Sequence, residues 1–74
     1  MKIISAQTFG QAIRKRRKDL GYTQGYISEM TGFSISFISD LERGKPTAEL
    51  EKSIFLANLL GLDLLCQARD GSRL

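Results

Sequence analysis

Apolar positions along the chain fall into four short helical stripes and then an alternating one. Phe9, Ala12, Ile13 and Leu20 recur at helical spacing between Ser5, a good N-cap, and Gly21, a good C′ residue. They predict a first helix over about 6–20. Thr23 caps a second helix over about 24–31, which carries Ile27, Ser28 and Met30 and stops at Gly32. Ser34 caps a third over about 35–43, closed by Gly44. Ile38 and Leu41 stand three apart on it and face the core, while Phe37 is either core rim or partner contact. Pro46 cannot lie inside a helix, so Lys45-Pro46 is a connection. Thr47 then caps a fourth helix over about 48–60, with Glu49 and Glu51 in the first turn where the helix dipole favours acids.

The fourth helix is apolar on more than one side. Leu50, Ile54 and Ala57 form one face, and Phe55 and Leu59 form a second strip. In so small a chain the second strip is expected to meet another subunit. After Gly61 the period changes to two. Leu62, Leu64, Cys66 and Ala68 alternate with Asp63, Leu65, Gln67 and Arg69, a strand pattern over about 62–68. A lone strand leaves its backbone groups unpaired. It is therefore expected to pair with the same strand of a second copy across a two-fold axis; a short fifth helix is the alternative. The tail DGSRL, residues 70–74, is expected to fray. With no repeat and no linker, residues 1–74 read as a single domain.

Size and charge narrow the picture. A 74-residue domain buries only about 60–65% of its unfolded surface, so oligomerisation is a common support. A single cysteine, Cys66, and no histidine exclude a disulfide framework and argue for a reducing cytosol. Cys66 lies on the apolar side of the strand pattern, where a buried structural thiol is expected rather than a nucleophile or redox switch. The N-terminal MKIISAQTF lacks the apolar region and cleavage site of a signal peptide, and the longest apolar run is too short to span a bilayer. A cytoplasmic protein is expected.

Net charge is +3, unevenly spread: the first 18 residues hold six bases and no acid, and the remainder holds five bases and eight acids. Such asymmetry fits nucleic acid or a membrane surface, or merely a solvated helix face. Membrane binding would require exposed apolar residues beside the charges, and here those are expected to be buried. Lys15 and Arg16 either solubilise the first helix or attract phosphate. Glu29, Glu49 and Glu51 form no metal set, and no cofactor is expected. With no histidine, phosphate loop or paired carboxylates, an enzyme is not expected.

The stretch TQGYISEMTGFSISFISDLERG holds two short helices joined by a Gly-containing turn, the definition of a helix-turn-helix. Gly32 would supply the positive φ of the turn. Ser28 is small enough for close helix approach, and Ile27, Phe33, Ile38 and Leu41 would fill the wedge. The open face of the third helix then carries Ser34, Ile35, Ser36, Ser39 and Asp40. Ser34, Ile35, Ser36 and Ser39 are the expected base-contacting residues, since short hydroxyls reach base edges and Ile35 can touch a thymine methyl. Thr23 and Gln24 sit at a helix N-terminus, which attracts phosphate, and Arg43 and Lys45 can reach a flanking phosphate. Some of Arg14, Lys15 and Lys18 are expected to add long-range attraction.

These residues resemble the Cro/C1 phage-repressor (XRE) type of helix-turn-helix. The shared frame is matched by Thr23-Gln24, the small Ser28, Gly32, Ser34, Ile38-Ser39 and Glu42-Arg43-Gly44, and the resemblance covers roughly residues 8–61. The small position is more often Ala than Ser in that family. The resemblance implies a mainly α, four-helix, lambda-repressor-like domain. It also implies that Arg17 of the first helix pairs with Glu42 as a structural ion pair. The ending LGLDLLCQARDG resembles HipB-like antitoxins, in which strands of two subunits pair. That second resemblance implies a homodimer with Phe55, Leu59, Leu62, Leu64 and Cys66 at the interface, a palindromic double-stranded DNA operator, autoregulation, and a HipA-like kinase toxin as partner. Two alternatives remain: a protein-interaction module that neutralises a kinase toxin with DNA binding secondary, and a stand-alone repressor with no toxin.

Overall fold

The computed structural model of the chain describes residues 1–70. Four helices follow one another: α1 (Ala6–Asp19), α2 (Gln24–Thr31), α3 (Ile35–Glu42) and α4 (Leu50–Leu59). Local chemistry explains where the first three begin. The Ser5 hydroxyl accepts from the Thr8 amide at 3.1 Å, and Thr8 Oγ1 accepts from the Ser5 amide at 3.0 Å, a reciprocal capping box. Thr23 Oγ1 accepts from the Tyr26 amide and Ser34 Oγ from the Phe37 amide, each at 3.0 Å. The fourth helix departs from the expected Thr47 cap. It starts at Leu50, with Glu49 as N-cap and no side-chain capping bond. Residues 43–49 instead form turns around Pro46, with the Ala48 amide on the Lys45 carbonyl at 3.3 Å.

The core consists of Ile13, Ile27, Ile38, Leu41, Leu56, Ala57 and Leu60, with Phe9, Tyr22, Phe33, Phe37, Ala48 and Leu62 packed against it. On α4 the buried face is Ser53, Leu56, Ala57 and Leu60, not the expected Leu50, Ile54 and Ala57. Leu50 is 70% exposed. One small residue sets this phase. Ser53 is small, and its hydroxyl is satisfied by the Glu49 carbonyl at 2.6 Å, so it enters the interior at little cost. The helix also has apolar residues on every side, so several rotations about its axis would bury comparable area.

α1 crosses α3 at near-backbone contact. Gly10 is buried, and a Cβ there would overlap the Leu41 carbonyl oxygen and lie 2.8 Å from that of Glu42. Phe33 makes edge contacts with Phe37 (centroids 5.4 Å) and Phe55 (5.7 Å), and the Lys52 ammonium lies 5.6 Å and 5.5 Å from the Phe33 and Phe37 ring centres. Phe37 is thus core rim, tied to α4.

Beyond Gly61, Leu62 turns back, its amide donating to the Ala57 carbonyl at 2.9 Å. No strand occurs among the described residues of the single chain, and neither does a fifth helix. In the single chain Cys66 is exposed, since no other described part of it covers the segment; the expected burial at a dimer seam concerns a second copy. Of the expected frayed tail, residues 71–74 lie outside the described residues.

Gly10→Ala should destabilise the fold by about 1–3 kcal/mol, since backbone carbonyls must yield to the added methyl. Gly25→Ala, whose Cβ would meet nothing closer than 3.8 Å, should instead stabilise by a few tenths to about 1 kcal/mol. Urea unfolding of both variants checks the contrast; equal effects would disprove the close crossing.

Candidate nucleic-acid interface

The turn between α2 and α3 is built from short polar bonds. Gly32 takes φ +79°, and its amide donates to the Ser28 carbonyl at 2.9 Å. The Ser28 hydroxyl donates to the Phe33 carbonyl at 2.6 Å. Thr31 Oγ1 donates to the Ile27 carbonyl at 2.8 Å and accepts from the Phe33 amide at 3.0 Å. Ser in place of the family's usual Ala therefore adds a bond across the turn.

At the other ends of α2 and α3 lies a buried charge network. Arg17 donates from Nε to Glu42 Oε2 at 2.7 Å and from Nη2 to Oε1 at 2.9 Å, a bidentate pair with side chains 9% and 2% exposed. Arg17 Nη1 also donates to the Tyr22 carbonyl at 2.8 Å, and Gln24 Nε2 donates to Glu42 Oε1 at 3.2 Å. The hydrogen bond to Glu42 raises the Arg17 pKa further, against the opposing effect of burial. No buried side-chain polar atom among the described residues lacks a partner. One glutamate thus ties α1, α2 and α3 together.

On α3, Ile38 is fully buried, Leu41 is 3% exposed and Glu42 is 6% exposed, while Ile35 on the opposite side is 51% exposed. Ser34 and Ser36 are exposed and Ser39 is half-buried. The Ser34 oxygen is engaged as a cap, which leaves its O–H free to donate. Thr23 is exposed at the start of α2, its oxygen likewise engaged. Gln24 is half-buried and turned toward Glu42, so its side chain is a brace as well as a neighbour of the helix N-terminus. Arg43 and Lys45 are exposed just past α3, but neither is unpaired. Asp40 Oδ1 accepts from Arg43 Nη2 at 2.7 Å, and Oδ2 from Lys45 Nζ at 3.4 Å. The Arg43 hydrogen bond holds the Asp40 carboxyl below its ordinary pKa; slight desolvation opposes this, and Lys45 adds to the lowering. The bridges therefore persist above the ordinary carboxylate range and come apart only as pH falls below it.

The basic run of α1 is largely committed as well. Arg16 Nε donates to the Leu60 carbonyl at 2.7 Å and caps α4, while Lys15 pairs with Asp19 at 2.9 Å. Arg14 and Lys18 are exposed. Sequence reasoning did not find the Arg16 cap, a contact across 44 residues with no local signal. It placed Asp40 on the open face without a role, although its i,i+3 spacing to Arg43 is a pairing signal. Of the expected dimer residues, Phe55 (50%), Leu59 (41%) and Leu64 (43%) expose much of their surface, whereas Leu62 is half-buried in its own chain.

A capped helix with a short polar outer face, set by a glycine turn across a second helix, is the reading head of a helix-turn-helix DNA-binding protein. Comparison with known proteins agrees. The model of the Helix-turn-helix family HTH_3 matches residues 13–65, and the chain belongs to that family. An uncharacterised HTH-type transcriptional regulator of Sinorhizobium fredii, y4mF, is 32% identical over 63 residues, which span 85% of this chain and 83% of the relative. Two solved complexes, of a HipB variant with an O2 20mer and of HipB with an O4 20mer, align at 26% identity and TM-score 0.81. Both alignments cover 93% of this chain, with 97% and 99% of the respective HipB chains. The chain is a DNA-binding helix-turn-helix transcriptional regulator with a HipB-like fold. No helix among the described residues is long and apolar enough to cross a membrane.

Removing either member of the buried pair, as in Arg17→Ala or Glu42→Ala, should cost about 3–5 kcal/mol by stranding the other charge. Domains of this size have about 4–11 kcal/mol in total, so both variants should melt far below the parent. Thermal melts followed by circular dichroism check this; an unchanged midpoint would exclude a structural role.

Proposed function

We propose that the chain is a cytoplasmic, homodimeric, sequence-specific repressor. It binds a palindromic operator upstream of its own gene and serves as the antitoxin of a HipA-like kinase. The observation that carries the DNA-binding part is the division of α3: Ile38 and Leu41 are sealed in the core while Ser34, Ile35 and Ser36 face outward. A face of short side chains enters the major groove without steric cost. Ser34, Ser36 and Ser39 offer hydroxyls to base edges, and Ile35 offers a methyl surface to thymine. Thr23 and Gln24 present the N-terminus of α2 to a phosphate, and Arg43 and Lys45 supply charge at the flank.

The dimer is supported by apolar surface that a lone chain leaves wet. Ile54, Phe55, Leu59, Leu64 and Leu65 are all at least 36% exposed along α4 and the segment after it. The alternating segment 62–68 has unpaired backbone groups, and its copy across a two-fold axis would satisfy them and cover Cys66. The antitoxin role is supported by the 26% identity to HipB over nearly the whole chain.

Fluorescence anisotropy on DNA from upstream of the gene, against scrambled DNA at ~0.15 M salt, should show a preference of about 10³ or more. Ser36→Arg should abolish that preference and leave the melting temperature unchanged; retained preference would disprove this placement of α3. Sedimentation equilibrium should give a dimer, and Leu59→Glu with Leu64→Glu, two exposed positions outside the aromatic cluster, should give a folded monomer with weaker operator binding. A parent protein that is monomeric at micromolar concentration would rule out the dimer. Co-expression with a HipA-like kinase from the same operon should yield a stable complex lacking kinase activity, and separate elution would rule out the antitoxin role.

A further inference from the structure

The end of α3 brings three charges to one place by backbone geometry. Gly44, at φ +86°, lets the chain reverse. Its amide donates to the Leu41 carbonyl, and the Lys45 amide donates to the Asp40 carbonyl, each at 3.0 Å. This pair of bonds is a Schellman motif, which sets the residue after the glycine directly over the one five positions before it. An apolar contact usually fills that spot. Here it is the Lys45–Asp40 pair, with Arg43 reaching the other carboxylate oxygen from one helical turn away. The two cations that follow the reading helix are thus both held by one carboxylate on that same helix.

From this juxtaposition we infer that Asp40 is a specificity-determining residue: it withholds Arg43 and Lys45 from DNA in the wrong register. The inference rests on the reading that these two side chains meet phosphates. Asp40 subtracts charge where phosphate attraction would otherwise be independent of sequence. It also draws the two exposed side chains toward itself, so a phosphate must compete with that carboxylate for them. On non-specific DNA the side chains would have to leave Asp40 to reach the backbone. On the operator their position is already served.

The test compares the full-length parent with Asp40→Asn, Asp40→Ser and Arg43→Gln/Lys45→Gln on operator and scrambled DNA over a range of salt concentrations. Asp40→Ser guards against a new amide–adenine contact in Asp40→Asn. Both Asp40 variants should fold as the parent does. Each should bind scrambled DNA about fivefold more tightly at ~0.15 M salt, with the slope of log K against log salt steeper by about 0.9, the signature of one more phosphate contact. Operator affinity should gain less, so the preference falls. Unchanged scrambled-DNA affinity and slope in both Asp40 variants, with weaker binding by Arg43→Gln/Lys45→Gln, would overturn the role of Asp40 alone. If Arg43→Gln/Lys45→Gln binds both DNAs as the parent does, the phosphate reading fails and this inference with it.

Discussion

The orientation of the first three helices depends above all on the Arg17–Glu42 pair. Seven buried apolar side chains among the described residues give cohesion, but apolar contact is non-directional. A buried ion pair is directional, because its desolvation is offset only when every donor and acceptor is met. Glu42 meets two donors from α1 and one from α2, and Arg17 reaches the Tyr22 carbonyl in the connection between those helices. Burial of the pair therefore sets the rotation of α3 about its own axis. That rotation decides which side chains face outward.

The turn completes what the pair begins. Its bonds run from Thr31 to Ile27 and Phe33, and from Ser28 to Phe33, so the chain leaving α2 is held at both oxygen and nitrogen. On the far side Phe33, Phe37 and Phe55 interlock, with Lys52 against the first two rings. α3 is clamped by charge on one flank and by aromatic packing on the other. Gly10 lets α1 lie close enough for the first of these clamps to form.

The sequence was legible where the governing interaction is local. Ser5, Thr23 and Ser34 cap their helices because a short hydroxyl reaches an amide three residues ahead whatever the tertiary context. Thr47 failed by the same logic: the turn around Pro46 delays the helix, so the amides it would have capped are not yet helical. α4 was misread because its apolar residues surround the axis, and only the small Ser53 distinguishes the buried side. Cys66 lies on an apolar face by alternation, which reports a face but not what covers it, and in the single chain that face is open. In the interface, the exposed positions of α3 followed from the helical period once Ile38 and Leu41 were placed inward. The commitments of Gln24, Arg16 and Asp40 did not, since a long polar side chain chooses its partner from whatever folding brings near.

The lengths of α2 and α3 carry a consequence of their own. Each has eight residues, well under the ~12–15 at which an isolated helix becomes even marginally stable in water. Neither can persist outside the packed domain. The reading face is therefore created by the same cooperative event that closes the core, and a form of the chain in which that core is open cannot present it. By mass action the dependence runs both ways. A ligand that binds only the folded chain, at a hundred times its dissociation constant, adds about 2.7 kcal/mol to the folding free energy. For so small a domain, occupancy of the reading face is itself a substantial part of what keeps the protein folded.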